Sequence, residues 1–126
     1  MKVSSTRLAG ALLMGTLALT VVAGTKTSLP VSILTTTAKP FAAGDLGYVR
    51  NTADATQYIG CEFTDTIGVC FARDVNGVTA SCTTTDPVKL EVIHSIHGDG
   101  SLMFAWNTDG TCRLVKVTLD SRVAPK

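Results

Sequence analysis

The chain is poor in aromatic residues, in charge and in the residues that usually carry catalysis. Aromatic side chains make up 6% of its 126 residues, and Trp106 is the single tryptophan. Charged residues make up 17%, almost balanced in sign at a formal +1, so no basic excess exists to grip nucleic acid by electrostatics alone. Two histidines, His94 and His97, and two glutamates, Glu62 and Glu91, leave few groups suited to proton transfer near neutral pH. No Cys-x-x-Cys pair occurs, which argues against a zinc knuckle. Beyond residue 25 there is no apolar run of spanning length. Apolar residues, by contrast, are plentiful at 45%, too many for disorder along the whole chain. The length allows one small domain.

Much of that apolar content lies at the start. Lys2 and Arg7 precede a charge-free stretch from Leu8 to Thr25, and small residues follow at Ala23 and Gly24. A basic start, an apolar middle and a small-residue end form a secretory signal, so residues 1–24 are expected to be removed after Ala23 or Gly24. A retained membrane anchor is the rival, but Gly10, Gly15, Thr16 and Thr20 weaken the stretch as a spanning helix. Removal takes two cations and no acid, shifting the formal charge from +1 to about −1. The expected product is secreted, extracellular or periplasmic, with neither nucleic acid nor membrane as a partner.

Residues 25–44 are rich in Thr, carry Pro30 and Pro40, and hold only Lys26 and Lys39 as charges. Such sequence buries little apolar surface and reads as a spacer, or as an arm that adds a strand to a neighbour. Val31, Ile33 and Leu34 suit one short strand. Residues 45–126 then read as a compact disulfide-stapled β-rich domain. Leu46 to Arg50, Gln57 to Thr64, Val69 to Arg73 and Val78 to Thr83 are strand candidates. Asn76-Gly77 favours a tight hairpin, because both residues tolerate positive φ.

The period then changes. Asp86 as N-cap, Pro87 in the first turn and Gly98 as terminator predict a helix, with Val88, Val92 and Ile96 on its buried face. Ser101 to Trp106 alternates with Leu102, Phe104 and Trp106 on one face. Asn107 to Gly110 turns the chain, and Thr111 to Leu119 returns with Val115, Val117 and Leu119 inward. The expected fold is α+β: a small antiparallel sheet of about five strands with one helix packed on a face and two disulfides.

All four cysteines, Cys61, Cys70, Cys82 and Cys112, lie in this region, at spacings unlike those of metal sites. Three pairings are open. A turn centred on Asp65 and Thr66 sets Cys61 opposite Cys70 and leaves Cys82 for Cys112, which is the favoured set. A dominant second hairpin would instead join Cys70 to Cys82 and Cys61 to Cys112. No metal and no cofactor is expected.

His94 and His97 stand at i, i+3, where two imidazoles on one helix face can share a metal with Asp99 or act as acid and base. The simpler reading places them on a solvated face. Ser81 has no base in sight, and Gly98-Asp99-Gly100 reads as a connection between helix and strand. Asp65, Asp74, Asp86, Asp99 and Asp109 all fall where turn or capping chemistry uses them. Trp106, beside a hairpin tip, is the aromatic candidate for sugar stacking if exposed. Residues 65 to 68 are the one loop suited to protease inhibition.

Taken together, Tyr58-Ile59-Gly60-Cys61, Val69-Cys70-Phe71-Ala72-Arg73-Asp74, Ser81-Cys82 with Thr85-Asp86, Phe104 and Trp106 with Gly110-Thr111-Cys112, and Ala124-Pro125-Lys126 form a pattern over residues 46 to 126. It resembles a group of short secreted bacterial proteins with four cysteines and no assigned activity. The resemblance implies secretion, disulfides and a compact β-rich fold, and carries over no functional residue. The expected function is that of a secreted, non-enzymatic binding or self-assembling structural protein, its partner being a protein, a cell surface or another copy. The alternative is a small secreted hydrolase or toxin using His94 and His97.

Overall fold

The computed structural model describes Lys26 and residues 28–123. The signal expected over residues 1–24 lies outside them. The fold is α+β, with seven strands in two antiparallel sheets, two short helices and two disulfides among the described residues. The elements in chain order are β1 (Ser32–Leu34), β2 (Phe41–Asp45), α1 (Leu46–Arg50), β3 (Tyr58–Phe63), β4 (Gly68–Arg73), β5 (Thr79–Thr84), α2 (Pro87–His94), β6 (Ser101–Trp106) and β7 (Cys112–Thr118).

One sheet is the meander β3-β4-β5, as the turn signals predict. Its second turn uses Gly77 at φ +82°, while the Asp74 carboxylate accepts from the amides of Asn76 and Val78 at 3.0 and 2.9 Å. The other sheet has the order β1-β2-β6-β7; the sequence predicts its β6-β7 hairpin and a short strand at β1, but neither β2 nor the pairing that joins them. The single sheet of about five strands is therefore corrected to two sheets.

The extra strands come from residues 25–44. The segment expected as a spacer or arm supplies β1 and, with Asp45, β2, which lies between β1 and β6. Local composition under-reads it because its side chains are small. Ala42 is fully buried opposite Phe104, and a Cβ on Gly44 would stand 3.4 Å from the Val31 backbone. Small residues let β2 approach its neighbours closely, so the contact is made by what the partners bury.

Leu46 to Arg50, expected as a strand, is helix α1. Its first amide donates to the Gly100 carbonyl at 3.0 Å, and Val49 is buried in the core. Asn51 closes it, its side-chain amide donating to the Gly47 carbonyl at 2.8 Å.

Helix α2 begins as expected. The Asp86 carboxylate accepts from the Val88 amide at 2.9 Å, and Pro87 takes the first turn. Its buried face differs. Leu90 and Ile93 enter the core, whereas Val88 is 69% exposed and Val92 and Ile96 pack at the margin. The helix ends at His94 with Ser95 as C-cap, and Gly98 does not adopt positive φ. Leu119, expected inward, is exposed.

One core joins all these parts. Ile59, Cys70, Ala72 and Cys82 from the meander meet Ala42, Leu102, Phe104 and Val115 from the four-stranded sheet, with Ile93 and Val49 from the helices. The Cys82–Cys112 disulfide ties β5 to β7 across the two sheets, next to a parallel bridge from Thr83 to Thr111. The Cys61–Cys70 bond spans directly opposed residues of β3 and β4.

Candidate functional site

The β3-β4 turn and the start of α2 build the most distinctive surface. Thr64 folds the turn onto itself: its amide donates to the Ile67 carbonyl at 2.8 Å, and its hydroxyl accepts from the amides of Thr66 and Ile67. The Cys61–Cys70 bond pins the strands just behind it. The turn also lies tight against α2. A Cβ on Gly68 would stand 2.8 Å from the end of the Ile93 side chain and 3.1 Å from that of Leu90, so any larger residue here must displace those side chains.

This clamping leaves apolar side chains in water. Phe63 is 50% exposed and Ile67 40% exposed, at either foot of the turn. The Phe63 ring lies 4.5 Å from the His94 ring, centroid to centroid. Two open hollows flank the tip. One, of about 320 Å³, lies between the turn and α2 and is lined by Asp65, Leu90, Glu91 and His94 among others. The other, of about 290 Å³, is lined by Glu62, Phe63, Thr64, Ile67 and Val69. The carboxylates of Glu62, Asp65 and Glu91 have no ion-pair partner among the described residues. The surface is thus apolar at its centre and acidic at its rim, held rigid by a disulfide and a helix. Such a surface suits binding more than chemistry.

The other candidates fall elsewhere. His94 ends α2, but His97 lies beyond the helix, so the two do not share a helical face as expected. No group of three or more His, Cys, Asp or Glu able to hold a metal ion occurs among the described residues. Ser81 is exposed on β5 opposite Phe71. Gly98-Asp99-Gly100 is a connecting turn, with the Gly100 amide donating to the His97 carbonyl at 3.0 Å. Trp106 is half-buried against the core, its ring 5.9 Å from that of Phe104. Tyr58 is the more exposed aromatic, set edge-on to Phe71.

Several aspartates serve the local turns. The Lys89 ammonium and the Val88 amide hold the Asp86 carboxyl below its ordinary range. The Thr111 hydroxyl and amide do the same for Asp109. Asp54 is the strongest case: the Gln57 amide, the Gln57 side chain and the Thr56 amide all donate to it, at 2.8, 2.9 and 2.9 Å, and hold it far below the usual carboxylate range. Gln57 in turn accepts from the Val31 amide at 3.0 Å, linking the meander to the N-terminal segment.

Sequence reasoning missed Asp45. Its carboxylate is fully buried and accepts from the Leu29 amide at 2.9 Å, while its own amide donates to the Leu29 carbonyl at the same distance. This clasp draws the N-terminal segment onto the four-stranded sheet. It also explains why Asp45, at the N-cap of α1, makes no side-chain cap bond. The available signal was an acid ending the apolar run Phe41-Ala42-Ala43-Gly44, since a buried acid must be satisfied by a partner.

No helix among the described residues is long and apolar enough to cross a membrane. Comparison with protein-family models, with curated proteins and with solved structures finds no match to this chain.

Proposed function

We propose that this chain acts as a secreted, non-enzymatic binding protein whose recognition element is the disulfide-braced β3-β4 tip. The observation that carries the reading is the exposure of Phe63 and Ile67 on a turn fixed by Cys61–Cys70 behind it and α2 beside it. A rigid apolar anchor binds well because little conformational entropy remains to be lost. The N-terminal pattern, the two disulfides and the resemblance to secreted four-cysteine proteins support an extracellular setting. The partner is a protein, a cell-surface component or another copy, not nucleic acid.

The test is capture of labelled protein on the surface of producing cells. A Phe63→Ser, Ile67→Ser variant should lose capture by roughly tenfold or more, with its urea unfolding midpoint close to that of the parent. Capture equal to the parent's would exclude the tip as the binding element. A His97→Ala variant should retain full effect. Complete loss there would instead favour the hydrolase or toxin alternative built on His94 and His97.

A further inference from the structure

The outer face of the four-stranded sheet carries a second apolar feature. The register Leu34↔Phe41↔Ala105↔Leu114 sets four apolar residues side by side across all four strands. Their neighbours along the strands, Ala42, Phe104 and Val115, point into the core, so this row faces away from it. Leu34 and Leu114 are 41% and 38% exposed, Phe41 is half-buried, and Ala105, between Phe41 and Leu114, is fully buried, so the exposed part of the row is Leu34, Phe41 and Leu114. Cations border the row. Lys116 follows Leu114 by two residues on the same face, and Lys39 stands in the turn joining β1 to β2. Both are exposed and have no ion-pair partner among the described residues.

The chain thus has one apolar surface rimmed by Glu62, Asp65 and Glu91, and another bordered by Lys39 and Lys116. The two belong to different sheets, and each carries exposed apolar side chains: Phe63 and Ile67 on one, Leu34 and Leu114 on the other. The expected product after removal of the leader is nearly neutral overall, so the opposite charges are separated in space and not in excess. We infer that the partner of the β3-β4 tip is a second copy of this chain, which receives Phe63 and Ile67 on the face formed by Leu34, Phe41 and Leu114. This rests on the binding role proposed for the tip. Apolar burial supplies the affinity, and the acidic and basic rims set the orientation. Because the two surfaces differ, the contact is heterologous: each bound copy still offers a free tip and a free sheet face. Repetition gives a ring or a filament, according to whether the rotation between copies closes.

Charge exchange tests the inference by sedimentation of the purified protein up to about 1 mM. The parent should gain mass with concentration and lose it with added salt. Glu62→Lys, Asp65→Lys should weaken assembly by about tenfold or more, and Lys39→Glu, Lys116→Glu should do the same, since each meets its own charge across the contact. An equimolar mixture of the two variants should assemble again, which also shows that both are folded. A mixture no better than either variant alone would overturn the inference, as would variants that assemble like the parent. A parent that stays monomeric throughout would overturn it too. In that last case, cell-surface capture lost on Phe63→Ser, Ile67→Ser would leave the binding role of the tip standing, and capture unaffected by that change would remove both.

Discussion

The two sheets are built on opposite principles. In β3-β4-β5 every pairing is local: each strand turns back on the one before it, and the turns carry Asp, Asn and Gly where backbone geometry needs them. In β1-β2-β6-β7 the central pairing joins Phe41–Asp45 to Ser101–Trp106, bringing together segments about 60 residues apart around the whole meander and α2. The meander is steered by turn chemistry and stapled within itself. The four-stranded sheet is held by what it buries, by the Asp45–Leu29 clasp and by one disulfide to its neighbour. The difference teaches that a strand can be fully specified while its own residues carry almost no strand signal, provided its partners supply the core.

The sharpest way to break the comparison is to remove what the non-local sheet buries. Phe104 is fully buried in β6 opposite Ala42, and Phe104→Ala should cost about 3–5 kcal/mol in urea unfolding. A cost below about 1 kcal/mol would mean that the sheet is not held by its core face.

The disulfides come next, because one joins the sheets and the other lies within the meander. In the chain-entropy model, losing Cys82–Cys112, at a separation of 30 residues, should cost about 4 kcal/mol. Losing Cys61–Cys70, at a separation of 9, should cost about 3 kcal/mol. Paired Cys→Ala variants compared at equal denaturant measure the order. The reverse order would show that the meander depends on its staple more than on its turns.

Gly68→Ala probes the joint between the meander and α2. The added methyl must displace the ends of the Leu90 and Ile93 side chains, so a loss of about 1–3 kcal/mol is expected. The displacement should also show as a changed environment of the neighbouring Phe63–His94 ring pair in NMR spectra.

The smallest effect concerns the link between the sheets through Asp54, Gln57 and Val31. Asp54 is held below its ordinary pKa of 3.8 when folded, so its contribution is fully present above that value. It is lost as the pH falls through the depressed folded value. Asp54→Asn should therefore flatten the stability profile below about pH 4 and leave its shape near neutrality unchanged. An identical acid limb in parent and variant would remove Asp54 from the link.

These contrasts match what could be read along the chain. The meander was legible because Asn76-Gly77 and the alternation around Cys61 and Cys70 act over a few residues. The start of α2 was legible from Asp86 and Pro87. Its buried face was not, because Val88, Leu90, Val92, Ile93 and Ile96 allow more than one apolar stripe, and the position of β4 selects Leu90 and Ile93. Within residues 25–44 the short strand at Val31 to Leu34 is legible, but β2 is not, because Ala and Gly give no local signal for the close packing they permit. At the candidate site, His94 stands out for its imidazole, whereas Phe63 beside it is only one residue of the strand candidate Gln57 to Thr64. An apolar residue in a strand gives no hint that the turn leaves it in water.

By itself, the sequence determined what local chemistry can determine: the hairpin turns, the helix start, the scarcity of catalytic groups and the presence of four cysteines in one small domain. Only the tertiary structure decided which surfaces are open. Exposure depends on what the rest of the chain covers. The tip of one sheet stands clear because α2 props it from beside, and Leu34 and Leu114 on the other sheet are exposed on the face turned away from the core. Those two decisions, made by packing between distant segments, are what give a nearly neutral chain one acidic and one basic apolar surface.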